Sequence, residues 1–213
     1  MEDRAEAKAF EPFPEALPGF KAAFIGVYDG HGGSMTVDYV LENLRRTVIT
    51  EWRRAFFLNL GIEISQPGKA KAQMDPIPLG EERDQAEILS ILVLPAAIVK
   101  AFEKVEQDIE DRWRKTGKDD GTTASIIILA HNRLFSAHVG DSRTVLARGN
   151  LDVEVSKDHK PNFPAEKERI EAGGGTVKKI GSTWRVNGNL AVARSFGDCS
   201  YKVTPVRGYF PSF

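Results

Sequence analysis

The sequence predicts an α+β fold, and three observations in chain order lead to that class. A short apolar run with β character covers residues 24–28. Two long helical patterns follow it, and from residue 121 onward the apolar period becomes that of short strands. Because helical and strand patterns are segregated along the chain, we expect a helix pair packed against a sheet.

Two stretches carry apolar residues at helical spacing, and each forms one stripe that would face a core. The stripe of the first stretch consists of Val37, Val40, Leu41, Leu44 and Val48. The stripe of the second consists of Ile98, Phe102, Val105, Ile109 and Trp113. Between the two stripes, residues 61–80 contain Pro67, Pro76 and Pro78 and are expected to form a loop. The whole region 61–95 is expected to be a loop or an insertion in the domain.

The second half of the chain is predicted to be rich in short strands. Its first hairpin pairs residues 125–130 with residues 134–139. A short helix is expected to begin at Pro164 and to end before Gly173. Further strands are predicted at residues 144–147, 152–155, 176–180 and 184–192, the last bent at Asn187 and Gly188. At the start of the chain, residues 1–20 contain three prolines among acidic residues and are expected to form an irregular arm over most of their length.

The composition is that of an ordinary globular chain and excludes several function classes. Among 213 residues, 29 Lys and Arg balance 30 Asp and Glu, so the charge gives no reason to expect a nucleic acid or an acidic membrane as a partner. The longest apolar stretch, residues 88–99, is far shorter than the roughly 20 residues that span a bilayer. Cys199 is the only cysteine, which excludes an internal disulfide and a multi-cysteine zinc site. With no secretory pattern in the first residues, we expect a protein of the cytoplasm, the nucleus or both.

The first candidate for chemistry is the motif Asp-Gly-His-Gly-Gly at residues 29–33, directly after the first apolar run. A strand end holds the carboxylate of Asp29 rigidly, and Gly30 lets its own backbone carbonyl approach a ligand closely. Carboxylate, carbonyl and water oxygens are the ligands that Mg²⁺ and Mn²⁺ prefer. The neighbouring His31 can act as an acid or a base near neutral pH. The same residues are also explained by a glycine turn capped by Asp29, with His31 merely exposed.

Two further acidic positions carry weaker signals. Asp141 follows the predicted hairpin in the sequence Val-Gly-Asp-Ser-Arg, where an aspartate is usually a turn former. Glu2 and Asp3 stand at the start of the chain, where paired acids are normally solvated charge. From residue types alone, these alternatives stay open.

Six motifs occur in a fixed order along the chain. They are Met-Glu-Asp at residues 1–3, Asp-Gly-His-Gly-Gly at 29–33, Gly-Thr-Thr-Ala at 121–124, Val-Gly-Asp-Ser-Arg at 139–143, Asp-His-Lys-Pro at 158–161, and the segment 185–198. In this order they resemble one family, the metal-dependent serine/threonine protein phosphatases of type 2C. The resemblance covers residues 1–202 as a partial phosphatase domain, apart from the 61–95 region, and leaves residues 203–213 as an atypical tail.

The resemblance implies a β-sandwich flanked by antiparallel helix pairs, with two metal ions, Mn²⁺ or Mg²⁺, in a cleft at one end of the sheets. It implies that Asp29 bridges the two metals and that Gly30 contributes its carbonyl. Glu2 would bind one metal directly or through water, and Asp3 would support the water network around the metals. Asp141 matches a family acid associated with a weaker third metal.

The reaction that the resemblance implies is hydrolysis of phosphoserine or phosphothreonine by a water that the metals activate. His31 would be the general acid that protonates the departing alkoxide. Phosphoproteins are therefore the implied substrates and partners.

The sequence departs from the family pattern near both ends. The family carries a phosphate-binding arginine before its Met-Glu-Asp strand and two metal-binding aspartate motifs late in the domain. In this sequence no Asp or Glu follows Asp198, so we expect weak metal binding and a fold that is incomplete at the C-terminus. Unpaired sheet edges and uncovered core faces would then invite a protein partner. A non-catalytic binding module or an inactive short form is the alternative to the enzyme.

Overall fold

The computed structural model describes residues 2–62, 76–204 and 208–209 of the chain. The helices are α1 (Met35–Asn59), α2 (Glu81–Thr116), α3 (Pro164–Ala172) and α4 (Cys199–Lys202). The strands are β1 (Arg4–Phe10), β2 (Ala22–Tyr28), β3 (Gly30–His31), β4 (Gly121–Thr122), β5 (Ala124–Ala130), β6 (Arg133–Val139), β7 (Val145–Arg148), β8 (Leu151–Glu154), β9 (Val177–Ile180), β10 (Thr183–Val186), β11 (Phe196–Gly197), β12 (Val203–Thr204) and β13 (Gly208–Tyr209). Antiparallel strands and a long helix pair occupy separate stretches, which confirms the predicted α+β class.

The largest sheet orders its strands β1-β2-β5-β6, with every neighbouring pair antiparallel. The side chains of β2 alternate as the pleat requires. Phe24 and Tyr28 are fully buried, whereas Ile25 and Val27 lie on the opposite, exposed face. One face of the sheet therefore belongs to the core.

The α1–α2 helix pair packs with this sheet in one hydrophobic core. Trp52 of α1 donates its indole N–H to the backbone carbonyl of Ser90 in α2 at 2.6 Å, which fixes the two helices against each other. Phe13, from the segment between β1 and β2, packs on Trp52 and Phe56 with ring centroids 5.2 and 4.3 Å away. Since a fully buried side chain of this size contributes about 1.5–3 kcal/mol, the aromatic cluster is a large part of the core.

A small sheet of order β11-β4-β3 brings three distant segments together. Gly121 of β4 pairs with His31 of β3 on one side and with Gly197 of β11 on the other. The next residue, Asp198, donates its backbone N–H to the carbonyl of Asp120 at 3.0 Å. Strand β3, which carries His31 of the 29–33 motif, thus lies in the same small sheet as the end of the 185–198 segment.

The expected irregular arm over residues 1–20 is wrong for its first part, because that part contains β1. This strand pairs with β2 from Arg4 opposite Tyr28 to Phe10 opposite Ala22. The three prolines that suggested irregularity all follow the strand. The pairing partner, rather than local composition, decides the conformation here.

The expected loop or insertion over residues 61–95 is wrong from Glu81 onward, because α2 begins there and continues through Pro95. A proline inside a helix removes one backbone hydrogen bond. Pro95 is exposed, while Ser90 and Leu94 beside it are fully buried. The burial of this face outweighs the local cost of the proline.

The predicted turn at residues 187–188 and part of the 203–213 tail lie among the described residues. The turn at Asn187 and Gly188 is present, with φ of 50° and 79° and a bridge between Val186 and Leu190. In the tail, β12 and β13 pair with each other. Residues 63–75 of the predicted loop and residues 205–207 and 210–213 of the tail lie outside the described residues.

The outer face of the large sheet is apolar and exposed. Ile25, Val27, Leu129 and Leu134 are each 37–48% exposed on it. Among the described strands that follow β6, three separate pairs form, β7 with β8, β9 with β10 and β12 with β13. None of the helices in the described part of the chain has the length and apolar character needed to span a membrane.

Candidate active site

Asp29 lies between β2 and β3, and its main chain is clamped to Thr123. Its backbone N–H donates to the Thr123 hydroxyl at 3.1 Å, and its carbonyl accepts the Thr123 N–H at 2.9 Å. Burial raises the pKa of the Asp29 carboxyl, and so do the charges of Asp3 and Asp141 and a hydrogen bond shared with Asp3. The charges of Asp3 and Asp141 therefore reach Asp29, and like charges near a carboxylate favour a bound cation or a proton.

His31 is held by a carboxylate that the sequence analysis gave no role. Its Nε2 lies 3.0 and 2.9 Å from the two carboxylate oxygens of Asp198. Burial by itself lowers the pKa of this imidazole, but the hydrogen bond and charge of Asp198, with the charges of Asp29 and Glu2, outweigh it and raise the pKa. A raised pKa favours the protonated form of the ring, the form that can donate a proton.

Gly30 allows the first residues of the chain to approach the motif closely. A Cβ at this position would lie 2.9 Å from the backbone oxygen of Glu2 and 3.0 Å from a methyl carbon of Val37. Glu2 also accepts the backbone N–H of Gly33 with its side chain, at 3.4 Å. The predicted positions 2 and 30 are thus adjacent, and only glycine fits between them.

Asp120 fixes the motif to the start of α1. Its carboxylate accepts the backbone N–H of Met35 at 2.7 Å and the hydroxyl of Thr36 at 2.6 Å, so it satisfies donors at the helix N-terminus. A Cβ at Gly33 would lie 2.7 Å from the same carboxylate. Asp120 could not be predicted from local pattern, because the helix that it caps lies 85 residues away along the chain.

Asp141 lies near Asp29 but already has a partner. The ammonium of Lys160 forms an ion pair with its carboxylate. Its neighbour Gly140 donates a backbone N–H to Nδ1 of His159 at 3.2 Å, and the ring of His159 stacks on that of His138 with 4.5 Å between centroids. The third-metal position of the prediction is therefore salt-bridged in this structure.

The donors suit a hard divalent cation in kind but are few in number. Asp29, Glu2 and the carbonyl of Gly30 offer only oxygen ligands, which Mg²⁺ and Mn²⁺ prefer. Over the described ranges, no group of three or more His, Cys, Asp or Glu side chains is gathered closely enough to hold an ion.

Comparison with known proteins gives one consistent result. The family model described as protein phosphatase 2C matches residues 16–208, a range that begins after Glu2 and Asp3. Probable protein phosphatase 2C 69 of Arabidopsis thaliana is 34% identical over 189 residues, which are 89% of this chain and 43% of the relative. Probable protein phosphatase 2C 59 of the same plant is 34% identical over 198 residues, which are 93% of this chain and 50% of the relative.

Solved structures agree at the level of the fold. A serine-threonine phosphatase 2C from Toxoplasma gondii superposes with a TM-score of 0.60 at 21% identity, covering 92% of this chain and 63% of that one. A sex determining protein of C. elegans also gives 0.60, at 23% identity, covering 93% of this chain and 41% of that one. The chain thus spans about half the length of the curated relatives it matches.

Proposed function

The chain belongs to the protein phosphatase 2C family, and we propose that its site hydrolyses phosphoserine or phosphothreonine in proteins with the help of Mn²⁺ or Mg²⁺. The observation that carries this proposal is His31, hydrogen-bonded to Asp198 beside the carboxylate cluster of Asp29, Asp3 and Asp141. A proton donor beside carboxylates that can hold divalent cations suits metal-assisted phosphate hydrolysis.

In this proposal Asp29, the carbonyl of Gly30 and Glu2 hold the metals, and Asp141 serves a weaker third ion. Two bound cations would lower the pKa of a water and offset negative charge on the attacking and leaving oxygens. Asp3 lies close enough to raise the pKa of the Asp29 carboxyl and would support the water around the metals. The two hydrogen bonds between the Asp29 main chain and Thr123 hold Asp29 at this position.

His31 would donate a proton to the serine or threonine oxygen as the phosphorus–oxygen bond breaks. An alkoxide is a strong base and a poor leaving group, so proton donation lowers the barrier by a large factor, about 10²–10⁴ in rate. Phosphoproteins of the cytoplasm, the nucleus or both are the proposed substrates.

A second candidate is a non-catalytic module that binds phosphoproteins or another protein partner. The ion pair between Asp141 and Lys160 and the partial donor set of the described residues favour it. The exposed apolar face that contains Ile25 and Val27 would then be the surface for the partner.

Hydrolysis of a phosphothreonine peptide by the purified chain, with Mn²⁺ titrated, separates the two candidates. The enzyme predicts saturable, metal-dependent release of phosphate that Asp29→Asn abolishes and that Asp152→Asn, an exposed acid on β8, preserves. No release at millimolar Mn²⁺ from a chain that melts cooperatively would reject the enzyme and leave the binding module.

A further inference from the structure

We propose that Asp198 is a positioning residue for His31: it holds Nε2 of the imidazole and leaves Nδ1 as the nitrogen that passes a proton to the leaving oxygen. The inference rests on the proposed phosphatase function and concerns a residue of the 185–198 segment that has no assigned role.

The contact is short, and its carboxylate side is buried. Both carboxylate oxygens of Asp198 lie within 3.0 Å of Nε2 of His31, and Asp198 is only 5% exposed. The hydroxyl of Ser195 donates to the same carboxylate. Because a carboxylate only accepts hydrogen bonds when ionised, Nε2 must carry the hydrogen of this contact.

The backbone around the contact is arranged to permit it. Asp198 has φ of 49°, a left-handed conformation that few residues other than glycine adopt. Its N–H is bonded to the carbonyl of Asp120 at 3.0 Å, which holds that conformation. A Cβ at Gly121 would lie 2.3 Å from a carboxylate oxygen of Asp198, so the glycine leaves the space that the carboxylate occupies. The pairing of Gly121 with His31 then places the imidazole opposite this carboxylate.

The chemical consequence follows from the two nitrogens of imidazole. With Nε2 engaged by Asp198, the proton for the leaving group comes from Nδ1 of His31. The oxygen of water forms the new bond to phosphorus, and the bond from phosphorus to the serine or threonine oxygen breaks with its electron pair on that oxygen. The oxygen takes the proton from Nδ1, and the proton released by water restores the imidazole. Orientation of a histidine by a carboxylate on its other nitrogen is a general device in catalysis and in metal sites.

The first test measures the ring without any turnover. In the full chain labelled with ¹⁵N-histidine, a long-range proton–nitrogen spectrum at one fixed pH shows which nitrogen of His31 carries a slowly exchanging proton, with His31→Gln to assign the signals. We expect a protected proton on Nε2 in the wild type and in Asp198→Asn, whose carboxamide oxygen still accepts, and its loss in Asp198→Ala. A protected proton on Nδ1, or none on either nitrogen in the wild type, overturns the proposal even if Asp198→Ala fails to fold.

The matched control is Asp119→Asn. The Asp119 carboxylate is exposed and accepts the backbone N–H of Ser200, so it lies beside the same segment without contacting His31. The Nε2 signal should be unchanged in this variant. Loss of the signal in the control as well would mean that the segment, and not Asp198, orients the ring.

The second test separates positioning from general damage by the choice of leaving group. We expect Asp198→Ala to lower kcat on a phosphothreonine peptide roughly 10- to 100-fold, with Asp198→Asn in between. With p-nitrophenyl phosphate, whose leaving group needs no proton, kcat should change less than about threefold. Equal losses on both substrates would assign Asp198 a structural role and overturn the proposal. If the wild type hydrolyses neither substrate, the proposed function fails while the ring spectrum still decides the role of Asp198.

Discussion

The ammonium of Lys202 is buried against the carboxylate of Glu106, and this ion pair joins α4 to α2. The two side chains are only 8% and 3% exposed. Lys202 also donates to the backbone carbonyl of Ser195 at 2.8 Å, and Glu106 accepts the N–H of Gly197 at 3.0 Å. The pair therefore holds the segment that carries Asp198 against the helix layer.

We expect Glu106→Ala to lower the free energy of unfolding by about 3–5 kcal/mol, because it leaves the buried ammonium of Lys202 without its carboxylate. Replacing both partners, as in Glu106→Leu with Lys202→Met, should recover much of this loss. Urea unfolding measures the free energy of unfolding of the wild type, of Glu106→Ala and of the double variant. The control Glu103→Ala replaces an exposed acid on the same helix and should stay within about 0.5 kcal/mol of the wild type. A double variant no more stable than Glu106→Ala would contradict the account.

His159 should make the protein less stable in mild acid. Burial, followed by the nearby charges of His138 and Arg194, lowers the pKa of its imidazole to about 4, and its Nδ1 accepts the N–H of Gly140 only while unprotonated. In the unfolded chain the ring titrates near its ordinary pKa of 6.5. As the pH falls from 6.5 towards 4, the unfolded state takes up the proton first, so the stability falls.

Thermal melts between pH 7 and pH 4.5 check this expectation. The His159→Gln variant should lose stability less steeply than the wild type over that window, because it has no ring to protonate. The matched variant His131→Gln, at an exposed turn, should follow the wild type. Identical slopes for the wild type and His159→Gln would show that other groups dominate the acid dependence.

The sequence predicted those parts of the fold and site that depend on local pattern. The stripe from Val37 to Val48 identified the buried face of α1, and the glycine motif located Asp29 and His31 at a strand end. It could not identify Asp198 as the partner of His31, because 167 residues separate them and the contact depends on sheet register. The same holds for β1, whose conformation is decided by pairing with β2.

Gly121→Ala should reproduce the effect of losing Asp198, although neither Asp198 nor His31 is replaced. The added methyl would lie 2.3 Å from the Asp198 carboxylate, which must then move away from His31. We expect the peptide kcat to fall roughly 10- to 100-fold and the p-nitrophenyl phosphate kcat to change little. Gly149→Ala is the control, because its φ of 62° gives a similar or greater backbone cost but its Cβ would contact nothing. Retention of full peptide activity by Gly121→Ala would show that the His31 contact tolerates displacement.

Removal of divalent cations should reveal the cost of the carboxylate cluster. The pKa of Asp29 is raised by burial and by the charges of Asp3 and Asp141, so its ionised form opposes folding near neutral pH. With a chelator present, Asp29→Asn should therefore melt at a higher temperature than the wild type. With millimolar Mn²⁺ the wild type should gain stability by mass action, whereas Asp29→Asn should gain little, because the main carboxylate ligand is gone.

The melting temperatures of the wild type and of Asp29→Asn, each measured with and without Mn²⁺, isolate the role of Asp29, because each protein serves as its own reference. Asp152→Asn controls for the loss of one negative charge and should respond to Mn²⁺ as the wild type does. An equal Mn²⁺ shift in the wild type and in Asp29→Asn would place the ion elsewhere. A wild type that melts above Asp29→Asn in chelator would show that the cluster is already stabilised by the protein's own groups, Lys160 at Asp141 being the nearest candidate.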